Sequence, residues 1–544
     1  MTGTDPIGST ARAGISRRSI LGFATALSAS AVLAPVLAAC SGPTGTGSSA
    51  ASSGGAGADS GVLKITLNRN LVSLDNKQNQ FDAAVTVQRA VRQALTEIGD
   101  DLRPALVLAE SFKATAPTEW TVKLRDDIHY SDGSPITVED VEVALKDYFL
   151  VPAGFVASQF PEQPSVTKVD DRTFKLVTKK PAVTLDSLMS NILITPAAAN
   201  KAEELQGGIG SGPFVIAESN SGTGTYKLTP NTKYWRTSDA TKLTEVDVSY
   251  NEDESSRVIA LETGQVDVID TITPESAAHL KTVQGVEIVQ NPGTRFTHLF
   301  YNFRLPKSHP LSNVQVRQAL TYAVDHQTII DKLMSGQVTS AEGVVPKTLA
   351  GFAKTGEYAF DPDKAKSMLA SAGASNLELL AIWEESEFAG AAQVMEALVT
   401  MLGDVGVKLT LKTIPTGGEI LTWRSGNKTG DWEILANGYG NQTGLALTNL
   451  QAQYAGTAAK EKTKDTYLGF VVPAISDLLD KAGATADEAQ RNTILGQAQQ
   501  QIWAQWPALW AWTPNNVLAK RSRVQGLNLR ATNAYNLASV TTSA

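Results

Sequence analysis

The chain has 544 residues, 42% of them hydrophobic and 19% charged, with a formal net charge of −8. That length exceeds what one compact core holds, so two or three lobes are expected. Acidic and basic residues are interspersed, which leaves no clustered Lys and Arg for nucleic acid, and a single cysteine excludes both an intrachain disulfide and a thiolate metal cluster.

The first forty residues read as an export segment. Ser16-Arg17-Arg18-Ser19 precedes Ile20 to Ala39, an uncharged Ala- and Leu-rich stretch ending Leu37-Ala38-Ala39-Cys40. Its length alone would allow a membrane span, but the paired arginines, Pro35 and the small residues at 38 and 39 favour a cleaved signal. Cys40 then falls at the cleavage point. Removing 1–39 takes away three arginines and one aspartate, leaving a net charge of −10. From Ser41 to Gly61 all but Pro43 and Asp59 are Gly, Ser, Ala or Thr. Such a tract buries no core, and about 20 residues of it reach on the order of 25 Å.

Beyond it, strand and helix signals alternate. Val62 to Leu67 is a β-branched run stopped by Asn68. Trp120 to Leu124 alternates apolar and polar, and Ser131-Asp132-Gly133 turns the chain. Thr137 with Asp140 forms a capping pair for a helix through Val141, Ala144, Leu145 and Tyr148. Val166 to Val177 is a hairpin turning at Asp170-Asp171. Val246 to Tyr250 is a strand, followed by a helix through Val258 and Leu261 closed by Gly264. Asn313 opens one long helix whose stripe is Val316, Leu320, Val324, Ile330 and Met334, ended by Gly336. Asp361-Pro362 starts another, to Gly373. Leu377–Ile382 and Val407–Leu411 are strands around a helix from Ala389 to Leu402. A further strand, Asp431–Leu435, runs into a loop at Asn437–Gln442. Alternating elements with inserted hairpins predict an α/β fold.

Several short segments carry a family likeness. They are Pro104 to Phe112, Leu124-Arg125 through His129-Tyr130-Ser131-Asp132-Gly133-Ser134-Pro135, Gly210-Ser211-Gly212-Pro213-Phe214, Asn231 to Trp235, Ala260 to Asp267, and Val316-Arg317-Gln318-Ala319-Leu320 to Asp325. In this order the chain resembles the extracellular solute-binding protein family 5, the oligopeptide, dipeptide and nickel receptors of ABC importers. Leu-Ala-Ala-Cys40 resembles a lipobox, and Arg17-Arg18 a twin-arginine signal. The resemblance implies an acylated Cys40 that anchors the protein to the outer face of the cell membrane. It also implies a type II periplasmic-binding-protein fold, with two main lobes about a hinge and an additional lobe. By analogy, lobe I holds 62–75, 190–292 and 508–544, the additional lobe 76–189 and lobe II 293–507, with hinges near Asn291 and Trp506. The implied partners are a small solute, peptide-like by analogy, and ABC permease and ATPase subunits. A monomer without a cofactor or metal is expected.

In open α/β lobes ligands sit beyond the carboxyl ends of strands. That rule selects Trp383 and Glu384 after one strand, and Tyr439 and Asn441 after another. Trp512, in the aromatic run Trp503, Trp506, Trp510 and Trp512, and Asn68 complete the ligand-binding candidates. Asn441 stands where the family often has an Asp for a peptide ammonium, which weakens the case for a free N-terminus unless Glu384 or Glu385 supplies charge. The binding of a non-peptide solute (an oligosaccharide, siderophore or metal chelate) stays open, as does sensing instead of import. No catalytic set is expected. Ser165-Val166-Thr167-Lys168 and Lys428-Thr429-Gly430 match patterns of penicillin-binding acyltransferases, but a serine entering a hairpin points away from a lysine three residues on. The five histidines show no metal-binding spacing.

Overall fold

The computed structural model describes residues 61–71, 82–150, 156–199, 209–220, 222–385, 387–388, 390–415, 419–424, 432–464 and 466–543. The export segment, Cys40, most of the linker and Lys428-Thr429-Gly430 lie outside the described residues. All of those described fall in the unit Ala56–Ala544.

Twelve strands form one large sheet. In chain order they are β1 (Val62–Leu67), β2 (Phe214–Asn220), β3 (Thr225–Pro230), β4 (Glu245–Tyr250), β5 (Val268–Asp270), β6 (Val286–Pro292), β7 (Phe296–Tyr301), β8 (Val338–Ser340), β9 (Glu378–Trp383), β10 (Lys408–Thr413), β11 (Ile434–Tyr439) and β12 (Ala508–Arg521). The order across the sheet is β10-β9-β11-β7-β12-β5-β1-β4-β3-β2, with β6 and β8 also pairing along β12. Two parallel cores stand out, β4-β1-β5 in one half and β10-β9-β11 in the other. Between them runs β12, whose residues 508–514 pair with β7 and β8 and whose residues 515–521 pair with β6. The chain therefore passes from one half to the other inside β12 at Thr513–Asn515, later than the expected boundary after 507. Trp506 lies in the turn before the strand.

β7 and β11 are buried at every position, as strands covered on both faces must be. Side-chain alternation divides them. Leu299, Tyr301, Ala436, Trp383, Trp510 and Trp512 share a core with the helices Val314–Tyr322, Pro362–Ser371 and Ala391–Gly403. Phe300, Leu435, Ile382 and Tyr439 face the opposite core, against the helices Ala446–Tyr454, Pro473–Ala484 and Glu488–Trp503. A separate antiparallel sheet, Ala109–Ala116, Glu119–Leu124, Thr173–Val177 and Ser165–Lys168, packs on the helix Val138–Leu150 around Trp120, Val122, Phe174 and Leu145.

Local chemistry explains most boundaries. Asp140 accepts from the Thr137 backbone N–H at 2.8 Å and its hydroxyl at 2.9 Å, so the capping pair forms as expected. Asp170 accepts from the Arg172 and Thr173 N–H groups and makes the hairpin turn. Gly212 donates to the Val91 carbonyl at 2.8 Å, and a methyl on it would lie within 3 Å of the Ala90 carbonyl, so the Gly-Ser-Gly-Pro-Phe segment needs its glycine to seat against the helix Asp82–Val91.

Two expectations fail. The long helix from Asn313 is broken: Val314–Tyr322 ends, and Asp325 then caps a new turn through the Thr328 N–H at 3.0 Å, followed by a π-helical Ile329–Leu333. An aspartate side chain competes with the helical backbone bond, whereas the apolar stripe runs on in phase across the break. The strand read as Asp431–Leu435 extends instead from Ile434 to Tyr439, because Asn437, Gly438 and Tyr439 pair with His298, Thr297 and Phe296 of β7. Asn437 to Tyr439 are strand residues, so the loop begins only at Gly440.

Candidate functional site

The carboxyl ends of β9 and β11 lie on the same side of the sheet because the strands run parallel, Ala381 beside Ile434 and Ile382 beside Leu435. β7 runs antiparallel to β11, so its first residues, and Arg295 just before them, arrive at that same edge. Beside them, Trp512 of β12 pairs with Thr297 of β7 and Ser340 of β8. Four distant segments thus converge next to the place where β12 passes between the halves.

Trp383 ends β9 with 6% of its surface exposed, and Glu384 after it is equally buried. The backbone then turns, the Glu387 N–H donating to the Glu384 carbonyl at 3.1 Å. This brings the Glu387 carboxylate onto the Arg295 guanidinium. Phe388, the next residue, stands edge-on to Trp512 at 4.9 Å between ring centres. Trp512 itself is fully buried and lies 4.4 Å from Trp510. Both indoles were offered by the sequence as aromatic surface; in this conformation they line the inside of the sheet face.

Tyr439 points to the other face. Alternation along β11 sets it with Asn437, against Tyr467 at 6.3 Å. There Tyr467 donates its hydroxyl hydrogen to Asn437 Oδ1 at 3.0 Å and takes one from His298 Nε2 at 2.8 Å. Burial, reinforced by the positive charges of Arg295 and Arg424, pushes the His298 imidazole down to about 3. It is a neutral ring at ordinary pH.

Asn441 is spent inside its own loop. Its Nδ2 donates to the Leu445 carbonyl at 2.8 Å and Asn449 Oδ1 at 2.7 Å, while its Oδ1 accepts from the Thr443 and Gly444 N–H groups at 3.0 and 2.8 Å. The amide thus braces the turn and offers no charge there. Asn68 sits apart from this group in the other half of the sheet. It closes β1 by donating its N–H to Asp270 Oδ1 at 2.6 Å, beside a small cavity lined by Leu67, Asp270, Leu529 and Tyr535.

The structure therefore puts Trp383 and Trp512 on one face and Tyr439 on the other, leaves Asn68 across the passage, and buries Glu384 directly after the end of β9. The sequence reading missed Arg295 and Glu387. A charged residue directly before an aromatic-rich strand, Arg295-Phe296, was the signal available for the first. For the second there was only its proximity to Glu384 and Glu385.

Neighbouring segments also meet here. Gln442 Nε2 donates to the Thr532 carbonyl at 3.1 Å, and Arg103 grips Glu488 with two bonds of 2.9 Å. Gly444 adopts a left-handed φ of 72°, and a methyl there would come within 3 Å of the Leu102 carbonyl. Ser165 and Lys168 are far from chemistry: the hydroxyl donates to the Val177 carbonyl and the ammonium pairs with Asp171. Among the described residues, no cluster of His, Cys, Asp and Glu forms a metal site, and no helix is long and apolar enough to cross a membrane.

Residues 103–461 match the family model described as Bacterial extracellular solute-binding proteins, family 5 Middle. The glutathione-binding protein GsiB of Pectobacterium atrosepticum is 26% identical over 471 residues, covering 85% of this chain and 90% of that protein. The periplasmic binding protein DppA of Helicobacter pylori, solved with the peptide STSA, superposes with a TM-score of 0.75 at 19% identity over 89% of this chain and 98% of its own. NikA of Staphylococcus aureus, solved with Ni(L-His)2, does so with 0.72 at 18% identity over 89% and 100%.

Proposed function

Since this chain belongs to the bacterial extracellular solute-binding proteins of family 5 and has the type II periplasmic-binding-protein fold, we propose that it closes on a peptide or peptide-sized polar solute and hands it to the permease of an ABC importer. The family consists of binding proteins, so no bond is made or broken. The lobes assigned to the sequence are the bodies that move, with lobe II ending and lobe I resuming at the Thr513–Asn515 passage. The observation that carries this reading is the convergence of the ends of β7, β9 and β11 on the middle of β12, where the two halves of the sheet join through so little backbone. A passage of a few residues absorbs the dihedral change of a hinge motion. The contacts Gln442–Thr532, Arg103–Glu488 and Gly444–Leu102 then belong to the closed form.

Main-chain hydrogen bonds to an extended ligand would give affinity with broad side-chain tolerance. The name of the GsiB relative makes glutathione the first tripeptide to try. A metal chelate or other non-peptide solute is the second reading, favoured by Asn441, which offers no charge for a peptide ammonium. Export through the twin-arginine segment and acylation of Cys40 complete the proposal. Several acyl chains on one residue give the stable anchoring that one chain does not.

The test is mass spectrometry of the solute that co-purifies with the folded domain, followed by thermal-shift titration with tripeptides including glutathione. A true ligand at a hundred times its Kd stabilises the folded state by about 2.7 kcal/mol. If no peptide shifts the melting temperature while a sugar or siderophore does, the peptide reading is wrong.

A further inference from the structure

One short turn touches segments assigned to both lobes. Thr96–Ile98 and Pro104–Leu106 pair as an antiparallel hairpin. Between them the Gly99 N–H donates to the Arg103 carbonyl at 2.9 Å and the Leu102 N–H to the Gly99 carbonyl at 3.0 Å. On one side the hairpin is held by the C-terminal segment of lobe I. Arg530 donates to the Glu97 carboxylate at 3.1 Å and to the Ile98 carbonyl at 3.4 Å, and it lies 3.3 Å from Asp100. The other Asp100 oxygen accepts from Asn528 at 2.7 Å.

On the other side the turn meets lobe II at two points. Leu102 is 7% exposed, although Asp101 and Arg103 beside it are open to solvent. Its backbone seats on Gly444, where a Cβ would stand 2.2 Å from the Leu102 carbonyl oxygen. Arg103 forks Glu488 through two bonds of 2.9 Å. Leu102 also holds a left-handed φ of 58°. That conformation is strained for a leucine and persists only where neighbours hold it.

The two attachments are unequal. The Arg530 side chain is 16% exposed and has three partners in the hairpin, whereas the Arg103 and Glu488 side chains are 55% and 44% exposed. An exposed ion pair shifts an equilibrium by up to about fivefold and fades with salt. When the halves part, the turn therefore stays with lobe I and lets go of Gly444 and Glu488.

We propose that the Gly99–Arg103 turn is a latch, carried on lobe I by Arg530 and clasping lobe II through Leu102 and Arg103, that sets how readily the closed receptor opens. The latch rests on the receptor reading above and names the contact that tunes its motion.

The test exploits the single cysteine of the chain. In the solute-stripped chain carrying C40S and L102C, the only thiol lies where the turn is covered, and Ellman's reagent reaches it when the latch lifts. It should react at least about tenfold slower than in the urea-unfolded chain. R103Q and E488Q should each speed the reaction about threefold, with the double variant no faster than either. Raising salt from about 20 mM to about 500 mM should do the same with the pair intact and nothing in the variants. Labelling as fast as in urea overturns the latch, as do rates that neither substitution moves or gains that multiply in the double variant. A second readout does not depend on L102C folding. In C40S with R103C and E488C, a short bis-maleimide joins the turn to lobe II, and the stripped protein is followed by small-angle scattering. The linked chain should stay compact while the unlinked chain expands. Equal expansion overturns the latch and leaves the receptor standing, whereas an unlinked chain that never expands removes the hinge and the latch together.

Discussion

Replacing Arg317 with alanine is expected to destabilise the protein by about 3 kcal/mol, more than a typical point change. The residue is 4% exposed and its guanidinium makes four hydrogen bonds to the carbonyls of Leu311, Gln505 and Trp506. Nη1 donates to the Leu311 carbonyl at 2.6 Å, and Nε and Nη2 donate to Gln505 at 2.9 and 2.7 Å. The guanidinium also stacks over Phe303 at 4.9 Å. Gln505 precedes Trp506, whose left-handed φ of 45° turns the chain into β12. Arg317 thus ties the helix Val314–Tyr322 to the start of the strand that joins the halves. Lysine keeps the charge without the planar fork, so Arg317→Lys should recover only part of the loss. Urea unfolding gives the number; a loss below about 1 kcal/mol in the alanine variant would show that the carbonyls find other partners.

Mild acid should weaken the fold well before its carboxylates are protonated. Burial holds the imidazoles of His298 and His326 down to about 3, against an ordinary value near 6.5, with Asp325 opposing the shift at His326. Below pH 6.5 the unfolded chain takes up protons on both rings while the folded chain does not. Stability from these rings is therefore complete above about 6.5 and declines as pH falls toward about 3. The slope is about 1.4 kcal/mol per pH unit per ring, on the order of 4 kcal/mol for the two by pH 5. His326 is packed between Tyr358 and Trp510, so phenylalanine fits its site, and His298→Gln keeps a donor for Tyr467. Each change should flatten the stability profile between pH 6.5 and 5 by about half. Proton NMR should show neither ring titrating between pH 7 and 4. A ring that titrates near 6 would mean that it is reached by water.

The elements legible in the sequence are those whose signal is local. Thr137 with Asp140, the Asp170-Asp171 turn, the Asn313 cap and Asp361-Pro362 each place their own hydrogen bonds within three residues, and each forms where expected. What failed depends on partners far along the chain. β11 runs to Tyr439 because β7, more than 130 positions earlier in places, pairs with it to the end. The helix break at Asp325 is a contest between a cap and an uninterrupted apolar stripe, and periodicity alone does not score caps.

The site follows the same division. Strand ends pointed to Trp383, Glu384 and Tyr439, but strand alternation only became decisive once the true end of β11 was known. It sent Tyr439 to the face of Tyr467. The family comparison directed attention to Asn441, and the hydrogen bonds of its amide explain its presence as a loop brace. The pairing of Arg295 with Glu387 was invisible because a charge pair across 92 residues leaves no trace in spacing.

The decisive measurement is small-angle X-ray scattering on one preparation, first with its co-purified solute, then stripped by partial unfolding and refolded, then with the solute restored. Closure about the Thr513–Asn515 passage predicts a larger radius of gyration for the stripped protein and a return to the compact profile on restoration. Superimposable profiles in all three states, with calorimetry confirming that the solute binds, would contradict hinged capture and leave a rigid binder in its place.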